Sequence, residues 1–252
     1  MTYQELTKQI DDALYPDVSA AGGLANALGQ ALAAMGSPLE ASATISFIPF
    51  ARVEGGSRFC QTYIVKEERL FTFDFWTDGV TYGKGATRDL NKAAQAIHFW
   101  IIEEPDIAAM KNRFSFFTPS EKALAHEAGK AVEYQWDELL TQWAKQVASD
   151  ALSPLPLIQA GSKHPELRQL FPFTSLYSLH FSRTTGYPFT SDCPFANPIG
   201  DRRFRVYSAS RDVIGEGNVD EVIGMLKSNL PLNCGPAVNG TAENLLDASD
   251  SK

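Results

Sequence analysis

Three stretches of the chain, residues 44–50, 59–65 and 70–76, alternate apolar with polar positions and are rich in β-branched and aromatic side chains. A two-residue period puts every second side chain on one face, so the pattern predicts strands buried on one side. Lys66-Glu-Glu-Arg69 and Thr77-Asp-Gly79 have turn composition, which makes an antiparallel meander the economical arrangement. Ahead of it, Thr2-Tyr-Gln-Glu5 forms a capping box and predicts a helix to about Leu14. A second, alanine-rich helix is expected over residues 19–35, ended by Gly36 and Pro38.

Beyond the meander the period lengthens. Leu90, Ala94, Ile97 and Ile101 fall on one helical face after a start at Thr87 and Asp89. Thr118-Pro-Ser-Glu121 reads as a capped helix start with proline at its first position. From about Pro119 one long helix is predicted, its stripe formed by Val132, Trp136, Leu139, Leu140, Trp143 and Val147. The two indoles sit at core spacing and are assigned to packing. The prolines of Leu152-Ser-Pro-Leu-Pro-Leu157 cannot continue that helix, and the lobe boundary is placed there. A short helix at 165–170, strands at 176–182, 204–208 and 212–214, and a helix capped by Asn218-Val-Asp-Glu221 and stopped at Pro231 complete the pattern. The polar residues 241–252 read as a frayed tail. The expected class is α+β, with mainly antiparallel sheet packed against several helices. Residues 1–150 are expected to form one lobe and 151–252 a smaller one, the two packed together.

Composition narrows the function classes. The chain has 252 residues and a formal net charge of −8, the opposite of what a nucleic-acid binder shows. Its compact basic cluster, Arg202-Arg203 with Arg205, is short and lies where a strand should begin. No apolar run approaches the ~20 residues of a membrane span, and no secretory signal opens the sequence, so the expected location is the cytoplasm. Three separated cysteines, Cys60, Cys193 and Cys234, do not suggest a disulfide framework and are read as reduced thiols.

Candidate chemistry is sparse. The four histidines show no metal-ligand spacing with each other or with the cysteines, so no metal and no cofactor are expected. Gly215-Glu-Gly217 lacks the third glycine of a dinucleotide loop, Asp220 standing in its place. Cys193 beside Asp192, with His180 and Arg183 upstream, is the candidate nucleophile, because a thiolate needs a base or a positive neighbour. The bland alternative makes Cys193 a small buried hydrophobe and His180 a satisfied structural residue. The densest feature is the block of aromatics, prolines and lone polar groups over residues 170–207, which is either core or binding surface.

Several separated motifs carry a resemblance. They are Phe75-Trp with Gly79-Val80, Gly85-Ala-Thr87, the helix ending at Trp100, Pro119-Ser-Glu121 with His126, Leu170-Phe-Pro-Phe173, His180-Phe-Ser-Arg183, Gly186-Tyr-Pro188, Asp192-Cys-Pro194 and Cys234-Gly-Pro236. In this series the chain resembles the bacterial domain-of-unknown-function family 6193, whose members carry the automatic label "natural product biosynthesis protein". The resemblance spans roughly residues 45–245 and brings no established catalytic residue with it. Families of similar size in bacterial conflict systems are often immunity proteins, and the analogy points to a cytosolic module that occludes a cognate toxin. On that reading Tyr177, Arg183, Tyr187 and Asp192 supply the binding surface and the chain is not an enzyme. The alternative is an accessory enzyme or scaffold in natural-product biosynthesis, using Cys193 with His180.

Overall fold

The computed structural model describes residues 11–43, 50–146, 152–232 and 234–249. It is an α+β fold with two antiparallel sheets, and its contacts divide it into two compact units, Met1–Leu124 and Ala125–Lys252.

The first unit opens with helices α1 (Pro16–Ala20) and α2 (Leu24–Ala34), separated by Gly22-Gly23 where one continuous helix was expected. Its six-stranded sheet runs in sequence order: β1 (Ala41–Ser42), β2 (Phe50–Gly55), β3 (Arg58–Ile64), β4 (Phe71–Thr77), β5 (Val80–Thr87) and β6 (Phe117–Pro119). The capping box at Thr2 and most of the strand expected at 44–50 lie outside the described residues. In β4 the alternation is complete: Phe71, Phe73 and Phe75 are buried, while Thr72, Asp74 and Trp76 are partly exposed. The buried face packs on α2 through Leu28 and Leu32, and on α3 (Leu90–Ile102) through Ala93, Ile97 and Trp100. Asp89 caps α3 by accepting from the amides of Asn91 and Lys92.

The sequence pattern missed β5 because Gly83 and Gly85 interrupt its alternation. Gly85 is there for space: a Cβ would stand 2.2 Å from the Phe73 ring. After α4 (Ile107–Arg113), Thr118 and Pro119 belong to edge strand β6, where a proline without an amide donor is tolerated. The helix cap moves to Ser120, whose hydroxyl accepts from the Ala123 amide at 3.0 Å.

The helix expected to run unbroken from Pro119 is two helices, α5 (Glu121–Glu127) and α6 (Ala131–Lys145). Gly129 between them has φ of +68°, a conformation that a continuing helix cannot accommodate. The division between units falls at Leu124, within α5, and not at the proline-rich run at 152–157. The reason is the stripe of α6: Trp136, Leu139 and Trp143 are buried in the core of the second unit.

That core lies between α6, α7 (Leu155–Gly161) and α9 (Val219–Ser228) and one face of a five-stranded sheet. Its strand order is β11 (Val213–Gly217), β10 (Arg203–Tyr207), β9 (Phe195–Gly200), β8 (Ser178–Ser182) and β7 (Phe171–Ser175). The Trp136 indole is fully buried and donates to the carbonyls of Arg168 and Leu170 at 3.0 and 3.2 Å, beside the short helix α8 (Pro165–Arg168). The Asn218 capping box is present, with the Asn218 side chain and Glu221 bonding reciprocally to backbone amides. Gly215-Glu-Gly217 lies within β11, so it is a strand that leads into that cap. A last helix, α10, spans Ala242–Ser249. Among the described residues no helix is long and apolar enough to cross a membrane.

Candidate functional site

The second sheet is backed by helices on one face, and a row of rings occupies the other. Leu179 and Phe181 of β8 enter the core, so strand alternation turns His180 to the opposite face. There the His180 ring stacks on Phe173 at 5.0 Å and on Phe195 at 4.4 Å, and Phe195 stacks on Tyr207 at 5.1 Å. These separations are close to the ~4.8 Å between paired strands, as expected for neighbours in cross-strand register. Phe189 extends the row by stacking on Phe173 at 4.6 Å, and Tyr187 meets Phe189 edge-on at 5.9 Å. The dense aromatic block is therefore both things at once. Phe181 and Phe204 are core, while Phe173, Phe195 and Tyr207 are half-buried on the far side.

The row fixes the state of His180. Burial first, and then the nearby Arg211 guanidinium, push its pKa from 6.5 down to about 4. The imidazole is neutral at physiological pH. The unfolded chain therefore binds the extra proton between pH 6.5 and about 4, and stability falls as pH drops through that window. Because the ring keeps some solvent contact, the loss is expected to be on the order of 2 kcal/mol. Urea unfolding of wild type and His180→Phe at pH 7 and pH 4.5 measures it. The variant should lose less stability on acidification, and equal losses would contradict this assignment.

At the end of β8 the chain enters a loop, residues 183–192, that is pinned from three directions. The buried Ser182 hydroxyl donates to the Thr184 carbonyl at 2.7 Å and accepts from the amides of Thr184 and Thr190 at 3.0 and 3.1 Å. The Arg183 guanidinium and the Asp192 carboxylate close the loop base with an ion pair of 2.6 Å. The segment 237–242 then lies alongside. Val238 donates to Arg183 and Thr185 donates to Val238, both at 3.0 Å; Gly186 donates to Gly240 and Ala242 donates to Pro188, both at 2.8 Å. On this clamped loop Tyr187 is 69% exposed.

Three of the four expected binding residues, Arg183, Tyr187 and Asp192, thus share one loop. Tyr177 does not join them. It sits in the β7–β8 turn after Leu176, which has φ of +55°, and packs on Trp143 at 5.8 Å. The five residues of β8 separate it from Arg183, a span of roughly 20 Å over six steps at ~3.4 Å per residue.

The candidate nucleophile and base are also kept apart. His180 faces the aromatic row, whereas Cys193 is buried in the core cluster on the helix side. The Cys193 thiol is pushed far up by burial and by the neighbouring Cys234 and Asp192, so it stays protonated. Its sulfur lies 4.0 Å from Cys234 Sγ and 4.0 Å from Asp192 Oδ1. Among the described residues no three His, Cys, Asp or Glu side chains gather as a metal site would require. On the first unit, Tyr63, Asp74, Lys84 and Thr118 help to line an open groove of about 430 Å³.

No curated protein and no solved structure matches the chain. The motifs read before residue 130 lie outside the stretch that a family model matches. Residues 130–241, running from the residue before α6 through the clamp over the Tyr187 loop, match the model of DUF6193, a family of unknown function.

Proposed function

We propose that this protein is a protein-binding module, acting in the cytoplasm as an immunity protein that neutralises a cognate bacterial toxin by binding and occluding it. The observation that carries the reading is Tyr187: a large amphipathic ring, 69% exposed, held on a loop pinned by side-chain and backbone hydrogen bonds. Exposed aromatics on rigid supports are the usual anchors of protein interfaces, since little conformational entropy remains to be lost on docking. The Arg183–Asp192 pair at the loop base, each side chain about one-third exposed, adds charged groups of both signs beside the anchor. The separation of Cys193 from His180 takes support from the alternative of a thiol enzyme.

The formal charge of −8 suits a basic partner. Association should then slow markedly with salt, because screening shortens from ~10 Å at 0.1 M to ~3 Å at 1 M, while dissociation changes less. Stopped-flow association at several salt concentrations measures this, and a salt-independent on-rate would remove the steering argument. The reading as a whole is tested by affinity capture from the source cytosol, with and without the gene adjacent to its own. Recovery of that gene's product supports it. A complete cytosol that yields no protein partner, together with no detectable micromolar binding to that product, refutes it.

A further inference from the structure

Two of the sequence motifs, Asp192-Cys-Pro194 and Cys234-Gly-Pro236, meet in space although their cysteines are 41 positions apart. The sulfur atoms are 4.0 Å from each other, about 2 Å beyond a disulfide bond length. Cys193 directly follows Asp192, the partner of Arg183 at the loop base. Cys234 opens the segment that clamps the loop: its carbonyl accepts from the Gln169 side-chain Nε2 at 3.1 Å, and Val238 and Gly240 a few residues on bond the loop backbone. The pair thus bridges the two chain segments that hold Tyr187 in place.

We propose that Cys193 and Cys234 are a redox latch, a dithiol whose oxidation by a low-molecular-weight disulfide covalently fastens the 234–242 segment to the base of the Tyr187 loop. Cys234 is the half-exposed member and Cys193 the buried one, which sets the order of events. Cys234, as its thiolate, attacks one sulfur of the small disulfide. An S–S bond forms to the protein, and one small thiolate leaves and takes up a proton. Cys193 then gives its proton to solvent and attacks the Cys234 sulfur, expelling the second small thiolate. In total the two protein thiols lose two electrons and two protons, and one small disulfide becomes two small thiols. The Arg183 guanidinium favours both thiolates, but burial opposes them, so the second step is slow.

The effect on partner affinity rests on the protein-binding reading, whereas the chemistry does not, and the two are separated by testing the chemistry without a partner. The folded full-length protein is incubated with oxidised glutathione, and its intact mass and digested peptides are followed. Wild type should pass through a mixed disulfide on Cys234 to a species lighter by two hydrogens, linked Cys193 to Cys234. Cys193→Ser should stop at the mixed disulfide, and Cys234→Ser should form neither product. The oxidised protein should melt roughly 5–10 °C higher, as expected for closing a loop of this length. A mixed disulfide that persists on wild-type Cys234, or a linkage between molecules in its place, would overturn the latch. If the disulfide forms but leaves the off-rate from the captured partner unchanged, the latch does not control binding.

Discussion

Trp136→Ala is expected to cost about 3–5 kcal/mol of stability, the range for truncating a buried indole. Trp136 has no solvent exposure, and its ring packs on Phe181 and against Gly161 across the core of the second unit. Its N–H is also the donor to the Arg168 and Leu170 carbonyls, so truncation leaves both without that partner. Against a typical total of about 5–15 kcal/mol, such a loss removes a large share of the fold's margin. Urea unfolding followed by far-ultraviolet circular dichroism should show a much lower midpoint. Trp136→Phe should fall between, since it keeps one aromatic ring in the core but loses the second ring and the donor. A midpoint for Trp136→Ala within error of wild type would mean that α6 does not hold the sheet as described.

Tyr187→Ala is expected to weaken partner binding by roughly 30-fold or more, the size of an interface anchor, with stability nearly unchanged. The residue is mostly exposed and makes one edge contact with Phe189, so the fold should tolerate its loss. The effect should appear in the off-rate, because an anchor acts after encounter. Tyr177→Ala is the informative comparison. Tyr177 lies at the other end of β8, so an equal loss there would place the interface along the whole sheet face and not on the loop.

How much of this was legible depended on whether a feature is local. The strands β3 and β4 could be read from their two-residue period, because one face of each is buried and the other is not. The cap on α9 could be read because Asn218 and Glu221 are three residues apart. Strands β7 and β9 were hidden by Pro172 and Pro198, which argue against a strand in sequence. In the structure Pro172 lies on an edge strand, and Pro198 sits next to an irregularity in the β9–β10 pairing. The break at Gly129 was missed because a glycine within an otherwise helical pattern does not reveal the sign of its φ.

The site divided along the same line. Arg183, Tyr187 and Asp192 fall within ten residues and were picked out together. The stack of Phe173, His180, Phe195 and Tyr207 arises only once four strands are in register. The aromatics at alternate positions of Leu170-Phe-Pro-Phe173 were its one sequence trace. Cys193 was considered with His180, which is close in sequence, whereas Cys234 is close in space.

The central claim is that the clamped loop is a protein-binding surface. It is tested most directly by kinetic titration of the purified product of the adjacent gene against wild type and Tyr187→Ala, with the fold of each verified by its melting temperature. The account predicts tight binding to wild type and an off-rate roughly 30-fold faster or more for the variant, with the on-rate little changed. Equal off-rates for two equally stable proteins would contradict it.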